Sequence, residues 1–481
     1  MTPERAHQLR LAIRSAMPTD PVQYDTPSKE LVYVPRRHGE ILDVNTMLVV
    51  GERGTGKSFW AKALVHGETR SVAREAIGGT RLPADLLVVR GWDAREDIDD
   101  GQPTRRELER LATEEHEPRN IWAAVYLAAV RSPELLQLRT WQARVELLKR
   151  DETAWHRLLR AAQQAQEQSG RFALVLFDEL DRTSDAPQCR LKLLRGLLQL
   201  LLDLRNTRYL RAKVFVRPDM VQDSEVRAFP DSSRIVQSAA ILQWEPTDLY
   251  ALFWHRLINH RGSGHILREF AASSVGVTFP EQAGVFRLSD RLRTDRGVQR
   301  TLFHALTGSA MGPDKKRGIP YVWLPGHLAD ANEIISVRSF LIALAEASQD
   351  DSHPTHEYPL HWDALKDGVR RASERRRMEL EEDLPWAHFA MSALRGLEIP
   401  CDFDAIRQRW NEQDTLTSVK NSERRPSLLP LNELESLRWA LTWAGVFATR
   451  TDGRLNIPDV YRVAYGLPLR GGVPTRKRYD S

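Results

Sequence analysis

The octapeptide Gly51-Glu52-Arg53-Gly54-Thr55-Gly56-Lys57-Ser58 fits the pattern G-x-x-x-x-G-K-S, and that pattern dictates its surroundings. Its glycines let the backbone curl, so that successive N–H groups and the N-terminus of the following helix point at one small volume suited to phosphate oxygens. Such a loop needs a strand before it and a helix after it. Thr46-Met47-Leu48-Val49-Val50 supplies the β-rich run, and Phe59 to Val65 reads as the helix. Gly51 to Phe59 is then the phosphate cradle, with Lys57 reaching the β- and γ-phosphates and Ser58 holding magnesium.

A phosphate loop of this kind needs a carboxylate delivered by a second strand. Phe172-Ala173-Leu174-Val175-Leu176-Phe177 is a continuous apolar run, the pattern of a parallel strand buried on both faces, and it ends in Asp178-Glu179. Asp178 is expected to hold magnesium and Glu179 to polarise the attacking water, because hydrolysis needs a base in line with the leaving group.

This Asp-Glu ending resembles the additional-strand, catalytic-glutamate branch of the P-loop ATPases, which includes AAA+ proteins and the STAND and KAP-like ATPases. The resemblance implies a strand inserted between the loop strand and the carboxylate strand, and Ala212 to Val216 is the candidate. In STAND-type proteins an arginine at the end of that strand touches the γ-phosphate, which is the role implied for Arg217. Ile241 to Tyr250 then resembles the proline-marked entry to a helical lid, with Pro246 at the first turn. Within that lid Ser336 is a candidate cap and Arg338 a sensor-type residue at the nucleotide. Related ATPases often complete the site with an arginine from a neighbouring subunit, so a homo-oligomer is expected, with Arg227 and Arg234 as the candidates.

The guanine-reading Asn-Lys-x-Asp motif and the Leu-Ser-Gly-Gly-Gln signature are both absent from the sequence, which favours adenine and makes ATP with Mg2+ the expected ligand. With 42% hydrophobic and 28% charged residues the chain reads as globular. A net charge of +4 is too small to mark a nucleic-acid binder. The longest apolar stretch, Leu193 to Leu204, is broken by Arg195, Gln199 and Asp203, and Met1 to Met17 lacks the apolar core of a secretory signal. The expectation is a cytoplasmic protein without a membrane partner. Cys189 and Cys401 lie far apart and suit neither a disulfide framework nor a zinc finger. His353, His356 and His361 are irregularly spaced along a polar linker and read as solvated side chains, not as metal ligands.

Helical stretches at Trp362 to Leu380, Pro385 to Leu394, Asp402 to Trp410 and Asn432 to Trp443 precede Val446 to Ile457, two short alternating strands around Asp452-Gly453. Helices followed by a hairpin resemble a winged helix. Arg438 on its last helix and Arg450 and Arg454 flanking the wing, with Arg424, Arg425, Arg476, Lys477 and Arg478 nearby, form a candidate phosphate footprint for double-stranded DNA. The same domain in STAND-type ATPases is an internal latch, and the apolar Leu434, Leu437, Leu441 and Trp443 commit much of the helix to core. Both alternatives stay open.

The expected fold is therefore α/β: a P-loop NTPase with a parallel sheet, a helical lid and a C-terminal, mostly α, winged-helix-like domain. Residues 1–30 form a helical arm, 31–245 the core with a helical insertion at about 91–170, 246–350 the lid, and 360–481 the last domain and a basic tail. The resemblance implies a switch ATPase that hydrolyses ATP as the regulatory or motor subunit of a multi-protein bacterial system such as anti-phage defence. The alternative is a DNA-handling ATPase of the loader, transposition or partition type. No nuclease, protease or deaminase constellation occurs, so further chemistry would come from a partner protein.

Overall fold

A computed structural model describes residues 1–17, 27–79, 81–94, 101–113, 116–313, 315–422 and 434–468. The basic positions Arg424, Arg425, Arg476, Lys477 and Arg478, and Asn432 at the start of the last expected helix, lie outside the described residues. The chain forms two compact units. One comprises Met1–Tyr24, Arg53–Thr55 and Gln243–Ser481, the other Asp25–Glu52 and Gly56–Leu242.

The second of these units is built on a five-stranded sheet of β1 (Leu48–Val50), β2 (Leu86–Trp92), β3 (Phe172–Phe177), β4 (Leu210–Val216) and β5 (Ala240–Ile241), in the order β2-β3-β4-β1-β5. Every neighbouring pair is parallel. The chain is thus an α/β protein with a parallel sheet, and the strand that the resemblance inserts between the loop strand and the carboxylate strand is β4. Residues of β1, β3 and β4 are buried almost throughout, as strands covered on both faces must be.

The sequence reading assigned no strand to Leu86–Trp92. It is an edge strand with only partly buried central residues and a charged Arg90, so it lacks the clean apolar signature of the inner strands. Gly91 is required there: a Cβ at this position would sit 2.5 Å from the Phe177 ring and 2.8 Å from Val175. The helices between β2 and β3 include Pro118–Ala129, which is buried on nearly every side. It packs on Pro187–Leu204, where the Trp122 indole N–H donates to the Leu193 carbonyl at 2.7 Å. One continuous apolar core runs from these helices to β1, β3 and β4.

Lys213 on β4 is fully buried, and its ammonium donates to the carbonyls of Ile41 (2.8 Å), Asp43 (2.9 Å) and Thr46 (2.5 Å). Burial pushes it down to about 7. Three acceptors for three ammonium protons fix the segment that leads into β1, and so fix where the glycine-rich loop begins.

The other unit is helical. Pro3–Ala16, read from sequence as an arm, buries Leu9, Ala12 and Ile13, and Arg14 donates to the Ser348 carbonyl and to Asp351, both at 2.8 Å. Pro246 occupies the first turn of Pro246–Asn259, where its missing N–H costs nothing. Ser336 caps Val337–Ser348, its hydroxyl accepting from the Ser339 N–H at 3.3 Å. A two-stranded pair, β6 (Glu281–Gln282) with β7 (Val285–Phe286), lies between. The 22-residue helix Trp362–Asp383 leads to Pro385–Ser392, Phe403–Glu412, Thr415–Lys420 and Leu434–Trp443. These surround a separate apolar core with Trp386, Met391, Trp410 and Phe447. The expected hairpin is present as β8 (Ala448–Thr449) and β9 (Leu455–Asn456), each only two residues long, with Gly453 at φ 84° in its turn. Among the described residues no helix is long and apolar enough to cross a membrane.

Candidate phosphate-binding site

The parallel ladder continues beyond the strands. Gly51 N–H donates to the Val216 carbonyl and Asp178 N–H to the Trp92 carbonyl, both at 3.1 Å. Strands in a sheet lie about 4.8 Å apart, so the start of the glycine loop, Arg217 and Asp178 share one edge formed by the C-terminal ends of β1, β4 and β3. Tertiary pairing brings together residues that the sequence separates widely.

Gly56, with φ at 102°, caps the helix Lys57–Val65 in a conformation that a side chain rarely adopts. The Lys57 ammonium turns back onto the loop's own carbonyls, Gly51 at 2.8 Å and Glu52 at 3.0 Å. Desolvation lowers its pKa, Asp178 works the other way, and Arg217 adds to the lowering. A cation held by two carbonyls is poised to exchange them for phosphate oxygens, a stronger charge-assisted interaction. Phe59 is an edge-on partner of the buried Trp60, with ring centres 5.5 Å apart.

Asp178 is buried, and its carboxyl is pushed up to about 6 by desolvation and then by neighbouring Glu179, while a hydrogen bond from the Ser58 hydroxyl opposes the shift. Hydroxyl and carboxylate are thus neighbours, and both are hard oxygen donors of the kind Mg2+ prefers. This pair fits the ion. Glu179 follows with φ at 53°, the left-handed region that is costly for a residue with a side chain. The turn re-aims its carboxylate, which accepts from the Ala94 N–H at 3.2 Å.

Arg217 lies at the strand end. Its fork is taken by Asp219, with Nε to Oδ1 at 3.0 Å and Nη2 to Oδ2 at 2.9 Å, and Asp181 stands 3.7 Å away. Contact with a phosphate would exchange one carboxylate for another anion. Arg227 and Arg234 are both exposed, and Arg234 pairs with Asp231 at 3.1 Å.

The loop tip, Arg53–Thr55, belongs to the helical unit. There the Arg53 guanidinium pairs with Asp383 at 2.8 Å, with Glu382, and with Glu379 at 3.9 Å. The Gly54 carbonyl accepts from Arg338 N–H at 3.2 Å and the Ser336 hydroxyl at 3.3 Å, and Trp244 donates to the Thr55 carbonyl at 2.8 Å. The Arg338 side chain donates to Glu379 at 3.1 Å. Glu379 is 2% exposed and also receives Arg376 at 3.3 Å and Arg375 at 3.7 Å, so one buried carboxylate serves four arginines. Sequence reasoning missed Glu379, Glu382 and Asp383. On a helix rich in both charges nothing sets them apart until the fold brings Arg53 to them.

If Asp178 holds magnesium, its protonation competes with the ion. Mg2+-dependent nucleotide affinity should rise as pH climbs through about 6 and level off above it, with roughly a tenfold loss between pH 7 and pH 5. Titrating Mg2+ against a fluorescent ATP analogue across this range is the check. A flat profile would remove Asp178 from the ion. In the ligand-free chain the raised pKa has the opposite sign: it adds stability below about 4 that is lost as pH rises through about 6.

Comparison with protein-family models and with curated proteins gives no match. Among solved structures, Cdc6p from Pyrobaculum aerophilum is 13% identical and aligns over 91% of this chain and 94% of its own, with a TM-score of 0.29. The Aeropyrum pernix ORC2 protein aligns at 13% identity in two forms. Its ADPNP–ADP complexes cover 90% of this chain and 94% of that one at a TM-score of 0.32, and its ADP form covers 86% and 83% at 0.26. At these scores no property transfers, and the strand order and the residues at the sheet edge carry the reading of the site.

Proposed function

We propose that this chain is an ATPase of the P-loop type, which binds ATP with Mg2+ and hydrolyses its γ-phosphate bond. The observation that carries the reading is the gathering of the start of the glycine loop, Asp178 and Arg217 on one edge of the parallel sheet, with Lys57, Ser58 and Glu179 beside Asp178. The loop N–H groups and Lys57 bind and orient the phosphates, and Ser58 and Asp178 hold the ion. Magnesium, when bound, neutralises phosphate charge and so eases its transfer. Glu179 positions the attacking water and accepts its proton, and Arg217 senses the terminal phosphate. Phosphate release measured with and without Mg2+, against Glu179→Gln, tests the activity.

For what the ATPase acts on, the DNA-handling reading has one feature in its favour: a helix followed by the β8–β9 hairpin with Arg450 and Arg454 about half exposed at its turn. No feature of the described residues favours a defence-system switch in the same way. The footprint is weak, since Arg450 and Arg454 share Asp452 at 3.9 Å and 2.8 Å, and Arg438 pairs with Glu435 at 3.4 Å. Full-length protein should therefore bind duplex DNA weakly. Replacing Arg454 by Ala should lower the log–log salt slope by about 0.9, one phosphate contact. Fluorescence anisotropy at several salt concentrations, paired with ATP turnover with and without DNA, is the measurement. No binding at low salt and no change in turnover would sink the DNA reading and leave the ATPase reading intact.

A further inference from the structure

The segment between the helices Val337–Ser348 and Trp362–Asp383 gathers three imidazoles that its sequence spacing does not suggest belong together. His353 and His361 stack with ring centres 3.7 Å apart and planes 16° from parallel, and His356 stands edge-on to His361 at 4.5 Å. His361 is 8% exposed, and His353 and His356 are half-buried, so these three side chains are not the solvated ones that the composition of the stretch implies. Asp363, in the first turn of the following helix, completes the group: one donor atom each from His353, His361 and Asp363 lies within 4.8 Å of the others.

We propose that His353, His361 and Asp363 form a zinc site, with His356 at its edge as the candidate fourth ligand. Two imidazoles and a carboxylate are a donor set that suits Zn2+, and the nitrogen ligands exclude Mg2+ and Ca2+ as natural occupants. An imidazole lone pair lies in the plane of its ring, so one of the two stacked rings must turn for His353 and His361 to reach a common ion. The His353 Nδ1 lies 2.8 Å from the Asp350 carboxylate. That contact is the carboxylate–histidine arrangement that fixes the ring tautomer and leaves Nε2 as the metal-binding nitrogen.

The ring stack and two further contacts yield on loading. The Asp363 N–H donates to His361 Nδ1 at 3.2 Å, and Lys366 donates to the Asp363 carboxylate at 3.2 Å. Both are single hydrogen bonds near the helix start, and metal–ligand bonds outweigh them. The closed site ties the linker to the first turn of the helix that carries Glu379 at its other end, giving the ion a structural role within this unit.

The test uses the untagged full-length chain, stripped with chelator and titrated with Zn2+ by calorimetry, with Co2+ as a spectroscopic probe. One zinc per chain should bind with a micromolar or tighter Kd, Co2+ should give the intense visible bands of a tetrahedral site, and zinc should raise the thermal midpoint. His353→Asn should weaken zinc at least tenfold, and Asp350→Asn, which touches only the orienting carboxylate, by roughly 10- to 100-fold. His361→Asn should abolish the Co2+ bands; because His361 is buried, the two other variants keep the test decisive if it misfolds. A Kd weaker than about 1 mM in the wild type, or affinity unchanged in both His353→Asn and Asp350→Asn, would overturn the site.

Discussion

Glu179→Gln should bind ATP as tightly as the wild type and hydrolyse it on the order of 10²- to 10⁴-fold more slowly, whereas Lys57→Ala should fail to bind it. The two variants separate because they remove different things. Lys57 is the cation that now occupies the Gly51 and Glu52 carbonyls, and without it the cradle loses the ammonium that reaches the β- and γ-phosphates. Glu179 makes no contribution to that cradle. It stands on a left-handed turn after β3, its carboxylate steadied by the Ala94 N–H, and the amide of glutamine keeps the shape while losing the base. Equilibrium binding of a fluorescent ATP analogue and single-turnover hydrolysis read the two effects independently. Equal hydrolysis rates in the wild type and Glu179→Gln would defeat the assignment of Glu179 as the base.

Glu379→Ala should lower the stability of the chain by about 3–5 kcal/mol, the usual result of removing one partner from a buried ion pair. Its carboxylate lies among Arg338, Arg375, Arg376 and Arg53, and the neighbouring Glu382 and Asp383 already hold Arg53. Deleting it leaves several guanidinium groups facing one another in a desolvated space, where like charges repel most strongly. Glu379→Gln retains hydrogen-bond acceptance and should be damaged less. Urea unfolding of both variants supplies the comparison through the shift in midpoint. A Glu379→Ala variant as stable as the wild type would show that solvent reaches these arginines and that the cluster is not a stabilising hub.

The short-range features of this protein were legible in its sequence because each depends on neighbours along the chain. The curl of Gly51 to Ser58 needs glycines at fixed offsets, β3 declares itself by an unbroken apolar run, Pro246 and Ser336 open helices by their own chemistry, and Asp452-Gly453 makes a turn. The place of β4 between β1 and β3 was readable only through resemblance, since strand order is a matter of pairing and not of pattern. β2 escaped notice because an edge strand is half solvated and mixes charge with its apolar residues. What tertiary structure alone decided is which charges meet. Arg53 is an unconstrained position of the loop motif until the helix ending in Asp383 brings three carboxylates to it. Lys213 reads as an ordinary charge in a strand until three carbonyls enclose it, and His353 and His361 read as solvent-facing until the linker folds one ring onto the other. Local propensity acts over a few residues, but a charge buried by folding is satisfied by whichever groups the fold delivers, however far away they lie in the chain.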